Sequence, residues 1–269
     1  MVLIDEPASL GGPTRREMKL YDSFASVYAS GDYPNLSQRM AAILPGVMKH
    51  YKILTNNRKK LLDVACGEGS FCVEMAKNGW SVTGVDQSEE MLRLAKHRAK
   101  NDQVDVKLEK QDMRFIDYHN EFDLATCWFD SLNYLISNND LQSTFNSIAR
   151  SLKPNGWFLF DMNTIYGLAV EWQKNRCYVR QETKDLLELH RTCYDFEKNL
   201  GCIKITWFVK VDDKWEKYEE KHIERGFSIA EIESCLEYAG LHVVDKVSSL
   251  DPISPLGSQS GRAWFLTRK

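Results

Sequence analysis

Nowhere in this 269-residue chain is there an apolar run of the ~18 residues that a membrane-spanning helix needs. The opening stretch, MVLIDEPASLGGPTRR, lacks the basic start and apolar core of a secretion signal, so the chain reads as cytoplasmic, with no membrane partner. Cationic charge is scarce: 35 Lys and Arg stand against 38 Asp and Glu, a formal net charge of −3. Without a positive field to gather phosphates, nucleic acid is disfavoured as a partner. Cys-x-x-Cys pairs are missing among the seven cysteines (66, 72, 127, 177, 193, 202 and 235). Their odd number and apolar settings mark them as reduced thiols, not a disulfide framework or zinc site. Repeats and low-complexity tracts are missing as well. At 43 % hydrophobic and 27 % charged, the chain is an ordinary globular one, long enough for a large domain with an insertion.

What is present falls into two patterns. Over residues 60–163 short apolar runs alternate with longer periodic segments. KLLDVAC, SVTGVD, VDVKLEKQD, FDLATCWF and GWFLFDMN read as strands, the last preceded by a KPNG turn. A helix follows KLLDVAC and closes at Gly79; SEEMLRLAKHRAK and LQSTFNSIARSL are two more. Strands alternating with helices predict βαβ units and a parallel sheet covered on both faces, an α/β class. From about 176 to 225, four runs alternate apolar and charged residues around polar turns, one of them Asp212-Asp213; they predict a half-exposed antiparallel meander. SIAEIESCLEYAG then reads as a helix, and LHVVDKVSSL with RAWFLTRK as a closing strand pair. The expected organisation is a loose tail over 1–14 and one domain over 15–269, with 175–226 inserted after the fifth strand.

Parallel sheets bind ligands beyond the carboxyl ends of their strands. Gly67 and Gly69 fall at the end of the first strand, where missing Cβ atoms let the chain bend and a ligand lie on the peptide. Asp86 ends the second strand and can accept both hydroxyls of a ribose. Asp112 ends the third, placed to accept from an adenine amino group, with Met113 an apolar surface for the ring. A dinucleotide site would need a third glycine or alanine in the turn, where Cys72 stands, and Glu68 is a poor neighbour for phosphates.

DVACGEG, from Asp63 to Gly69, resembles motif I of the class I S-adenosylmethionine-dependent methyltransferases. Asp86, Asp112-Met113, FDLATCWFDSLNYL and LKPNGWFLFDMNT match the family's later motifs, so the likeness runs from about Tyr21 to the end of the chain. The resemblance implies a Rossmann-like seven-stranded sheet of order 3-2-1-4-5-7-6 and S-adenosyl-L-methionine as cofactor. The meander is similar to insertions that cover the acceptor pocket in enzymes methylating glycine or amino sugars. The activity it implies is methyl transfer to a nitrogen, less often an oxygen, of a small molecule. An NAD-dependent oxidoreductase and a non-catalytic binder of the same cofactor are the alternatives.

By the same resemblance, Ala65, Cys66, Gly67 and Gly69 border the methionine part of the cofactor, and Asp63 orients their loop through its amides. Gln87 flanks the ribose or adenine, and Cys127 faces the cofactor through its backbone. Trp128 and its neighbours surround the sulfonium. Of Tyr21, Tyr28 and Tyr33, Tyr28 is favoured as a lid touching the cofactor carboxylate; packing the helix onto the sheet is the other reading. Tyr134 and Asn163 are the candidate catalytic residues in the acceptor crevice. Asp130 either steers an amine or caps a helix. Met91 is read as core, His222 as structural and the other five histidines as surface groups; no metal site is expected.

Overall fold

The computed structural model describes residues 21, 23–53 and 59–269. The expected tail over 1–14 lies outside them. Five parallel strands form the centre: β1 (Lys60–Val64), β2 (Ser81–Asp86), β3 (Lys107–Lys110), β4 (Phe122–Cys127) and β5 (Leu152–Asn163). Three more continue the sheet beyond β5: β10 (His242–Leu250), β11 (Ile253–Pro255) and β12 (Arg262–Arg268). The order is β11-β10-β12-β5-β4-β1-β2-β3, with β12 antiparallel to β5. This is the expected 3-2-1-4-5-7-6 arrangement with an eighth strand. The addition, β11, folds back on β10 and is three residues long, too short for any alternation to register in the sequence.

Alternation along β1 sends Leu62 and Val64 to one face of the sheet and Leu61 to the other. The first face carries a core of Phe145, Phe158, Phe160 and Phe265 under α5 (Asn138–Ser151) and α6 (Ile229–Tyr238). The second is covered by α2 (Tyr33–His50) and α3 (Ser70–Lys77) through Leu44, Phe71 and Met75. Helix α4 (Glu89–Asn101) starts where Ser88 accepts from the Met91 amide, with Glu89 and Glu90 in its first turn and Lys100 in its last. Ser228 and Glu231 form a reciprocal capping box at α6. The KPNG segment is not a free turn. Strand β5 begins already at Leu152 and bulges, its register with β4 jumping from Phe122↔Leu152 to Leu124↔Trp157 while Asn155 takes φ +66°.

The insertion is a second, four-stranded antiparallel sheet: β6 (Cys177–Glu182), β7 (Leu186–Asp195), β8 (Leu200–Val211) and β9 (Lys214–Arg225). Asp212 and Asp213, at φ +46° and +62°, make the two-residue hairpin between β8 and β9. Trp207 and Ile205 of β8 pack on Phe24 and Val27, which belong to the start of α1 (Ala25–Ser30) and the residue before it. On β7 the inward residues are polar: Glu188, His190 and Thr192 are buried. His190 is thus no surface group. Its Nε2 lies 2.5 Å from Glu188, which also accepts from Tyr33 and Gln181, so the buried charge is fully partnered. The other four histidines read as surface groups are exposed.

Candidate active site

The two glycines after β1 do different work. Gly69, at φ +82°, precedes α3; a Cβ there would meet the Ala95 Cβ of α4 at 2.7 Å. It lets two helices approach and does not line the cavity. Gly67, at φ +54°, has open space where a Cβ would go, and it does line the cavity. Its amide donates to Oδ2 of Asp86 at 2.9 Å, and the Ser88 amide donates to Oδ1 at 2.8 Å. Asp86 is therefore fixed with two of its roughly four lone-pair positions filled and the others available for hydroxyls. Burial raises its carboxyl above the ordinary range, against the pull of those amides.

Glu68 turns inward, accepts from the Ser70 amide and hydroxyl, and pairs with Arg98 at 2.5 Å. Asp63 is held by the Thr126 hydroxyl at 2.8 Å and the Cys72 thiol at 3.2 Å, not by the loop amides that the resemblance implied. Burial pushes its carboxyl up to about 7. Asp112 receives the Arg114 amide and guanidinium, and Arg114 also reaches Asp140 at 2.9 Å. The guanidinium holds Asp112 below the usual carboxylate range and fills most of its acceptor capacity, which an adenine amino group would have to share.

At the end of β4 the backbone turns sharply. Phe129 and Asp130 both have positive φ, +59° and +55°, a costly pair for residues with side chains. Asp161, fully buried in β5, holds the turn by accepting the Phe129 amide at 2.7 Å and the Asp130 amide at 3.1 Å. Arg262 neutralises it, bonding Asp161 and, at 2.7 Å, Asp130. Asn133 joins the ends of β5 and β9: its amide group donates to Asn163 and Arg225 carbonyls and accepts from the Asn163 N–H. Behind Tyr134 lies a closed chain of polar groups. The Tyr134 hydroxyl is 2.9 Å from both the Tyr21 hydroxyl and Nδ1 of His222.

These elements enclose a cavity of about 440 Å³ beyond the carboxyl ends of β1, β2 and β4. Tyr28, Ala65, Cys66, Gly67, Asp86, Gln87, Asp112, Met113, Trp128 and Tyr134 all line it. Gly69, Cys127 and Asn163 do not: Cys127 is buried within the sheet core, and Asn163 donates to Glu224 at 2.9 Å. Met91, read as core, is buried and lines the cavity too. Arg262 and Glu220 were not singled out in the sequence, and Asp161 stood out there only as half of a superficial metal-ligand pair with Asn163. The one available signal was Asp161, a lone acid inside the apolar run WFLFDM.

Residues 61–156 match the family described as a methyltransferase domain. A putative methyltransferase of Geobacillus sp. (strain WCH70) is 32 % identical over 213 residues, 78 % of this chain and 85 % of the relative. The putative methyltransferase YqeM of Bacillus subtilis (strain 168) is 30 % identical over 255 residues, 93 % of this chain and 97 % of the relative. A solved S-adenosylmethionine-dependent methyltransferase from Clostridium acetobutylicum superposes with a TM-score of 0.77 at 25 % identity, covering 93 % and 99 % of the two chains. This chain belongs to the class I S-adenosylmethionine-dependent methyltransferases. The methyltransferase shares its fold with an amino pentose methyltransferase from Micromonospora echinaspora (TM-score 0.67, 19 % identity, 96 % and 99 % coverage). It shares it equally with a sugar N-methyltransferase from Streptoalloteichus sp. (TM-score 0.67, 16 % identity, 99 % of both chains).

The methyltransferase's cavity fits the cofactor of its family. Gly67 leaves backbone open where a side chain would intrude. The Trp128 indole N–H is buried with no hydrogen-bond partner among the described residues. The wall carries five carboxyl side chains (Asp63, Glu68, Asp86, Asp112, Asp140). Glu68 pairs with Arg98, Asp112 and Asp140 share Arg114, and burial raises Asp63. Asp86 is left with amide donors and no cationic partner among the described residues, room for a ligand that is itself cationic.

Proposed function

We propose that this methyltransferase transfers the methyl group of S-adenosyl-L-methionine to a nitrogen, less often an oxygen, of a small amine-bearing acceptor. The observation that carries the reading is the cavity's charge and end wall: carboxyl groups along its length and a tyrosine pair at the end bounded by the inserted sheet. Fold likeness to an amino pentose methyltransferase and a sugar N-methyltransferase supports a nitrogen acceptor. The inserted sheet over 175–226 covers the acceptor end. The seven unpaired cysteines favour the cytoplasm, and the net charge of −3 disfavours nucleic acid as a partner.

Bound S-adenosylmethionine supplies an electrophilic methyl group on a sulfonium. The backbone of Ala65, Cys66 and Gly67 would hold its methionine part, Asp86 and Gln87 the ribose, and Met113 the adenine face. Tyr28 would wall them in, and Trp128 would offer an aromatic surface to the sulfonium. Tyr134 orients the acceptor. Asn163 acts from outside the cavity by holding Glu224. The work of these side chains is alignment and exclusion of water, which supplies on the order of 7–11 kcal/mol. Titration with S-adenosylhomocysteine by calorimetry, then a screen of amino sugars, amino acids and simple amines for methyl transfer, tests the reading. Tight binding with turnover of an amine is expected. Turnover confined to hydroxyl acceptors would overturn the nitrogen assignment, and failure to bind S-adenosylhomocysteine would overturn the whole reading.

A further inference from the structure

A buried path for a proton leads out of the cavity at Tyr134. Tyr134 and Tyr21 line the cavity; His222, 1 % exposed on β9, stands behind them. Nδ1 of His222 is 2.9 Å from the Tyr134 hydroxyl. On the other side of the ring, Nε2 lies 3.4 Å from Oε2 of Glu220, a charge contact, and has no hydrogen-bond partner among the described residues. Glu220 is itself held by three donors: the Tyr21 amide at 3.1 Å, the Ser23 hydroxyl at 2.7 Å and the Phe24 amide at 3.2 Å. Burial acts to raise the Glu220 carboxyl, but its contacts with His222, Ser23 and Tyr21 outweigh burial and hold it below the ordinary range, as a carboxylate.

A carboxylate beside Nε2 selects the tautomer with hydrogen on that nitrogen. Nδ1 then keeps its lone pair and accepts the hydrogen of the Tyr134 hydroxyl. The phenol cannot be the final resting place of a charge. Burial, with Tyr21 and Glu224 close by, pushes the Tyr134 hydroxyl well above the usual tyrosine range. The groups facing the imidazole are Tyr134 from the turn after β4, Tyr21 ahead of α1 and Glu220 on its own strand. Glu224, also on β9, and Asp130, paired with Arg262, belong to the same buried cluster. None of the groups that face the ring is cationic.

We propose that His222 receives the proton that a cationic amine acceptor must lose, passed through the Tyr134 hydroxyl, with Glu220 steadying the resulting imidazolium. The inference rests on the nitrogen-acceptor reading above. One ammonium N–H bond breaks and its proton joins the Tyr134 oxygen, while the hydrogen already on that oxygen moves to Nδ1 of His222. One positive charge moves from acceptor to imidazole, the tyrosine ends as it began, and the nitrogen regains the lone pair that methylation requires.

His222→Gln keeps a hydrogen-bonding group of similar reach but stores no proton. With a primary amine that the wild-type chain methylates, kcat/KM at neutral pH is expected to fall about 100-fold. The deficit should close as pH approaches the amine's own pKa, where solvent removes the proton, and S-adenosylhomocysteine affinity should not change. A deficit equal at every pH would make His222 merely structural and overturn the relay. Nitrogen NMR of the full wild-type chain, with no acceptor present, decides separately: neutral His222 is expected to carry hydrogen on Nε2, and hydrogen on Nδ1 overturns the proposal. A chain that binds S-adenosylhomocysteine but methylates no amine refutes the functional reading instead, a different result from either.

Discussion

Substituting alanine at each glycine of the loop after β1 should separate folding from cofactor binding. Both residues sit at positive φ, which costs a residue with a Cβ roughly 1–2 kcal/mol. At Gly67 that is the whole expense, because an added Cβ meets nothing within 4 Å. At Gly69 the new methyl would stand 2.7 Å from the Ala95 Cβ and 3.1 Å from its Cα, so backbone as well as side chain must move. Such overpacking adds about 1–3 kcal/mol, for a combined loss of roughly 2–5 kcal/mol at Gly69. In a chain of this size that lowers Tm by about 4–10 °C. Urea unfolding gives the stability of each variant, and calorimetry with S-adenosylhomocysteine gives its affinity. Gly69→Ala should be the more destabilised of the two yet bind once folded, while Gly67→Ala should lose only the roughly 1–2 kcal/mol of backbone strain and bind poorly. The reverse assignment, an unstable Gly67→Ala beside a stable Gly69→Ala that cannot bind, would refute the division of labour.

Asp63→Asn should stabilise the fold with rising pH. A carboxyl raised to about 7 binds its proton more tightly folded than unfolded, so wild-type stability falls as pH climbs from about 4 to about 7, by at most roughly 4 kcal/mol. Unfolding of both chains across that window should show the difference opening and then levelling; a constant gap would mean Asp63 is ionised throughout. Arg262→Met should cost about 3 kcal/mol, at the low end for a buried pair because the arginine is one-third exposed, and it should loosen the turn at Phe129 and Asp130. Arg262→Lys should recover only part of this, since one ammonium cannot replace a fork spanning two carboxylates; thermal melts and proteolysis near the turn check both. Tyr134→Phe should lower turnover while leaving S-adenosylhomocysteine affinity intact, and a loss of affinity instead would move Tyr134 to the cofactor side.

The sheet was legible because its signals are local. Runs such as KLLDV and SVTGV are buried on both faces and need no distant partner to identify them, and paired aspartates at 212 and 213 tolerate the backbone that a two-residue hairpin demands. The site was legible as far as strand tips go: Gly67, Asp86, Asp112 and Trp128 reach the cavity by ending or following their strands. What stayed hidden depends on separation. Asp161 and Arg262 lie 101 positions apart, and Tyr134 and His222 lie 88 apart. No periodicity links them. Gly69 could not be told from Gly67 without knowing that Ala95 stands against it. On β7 the usual inference runs backwards, since Glu188 and His190 point inward and satisfy one another, and alternation alone does not say which set faces the interior.

Tyr21, Ser23 and Phe24 send three donors to a single carboxylate, Glu220, and Phe24 leads directly into the short helix that carries Tyr28 over the cavity. Any displacement of that helix would carry with it the anchors of Glu220 and the phenol of Tyr21. The wall of the cavity and the polar chain behind Tyr134 thus share one set of residues, so that a change made in the first is felt in the second.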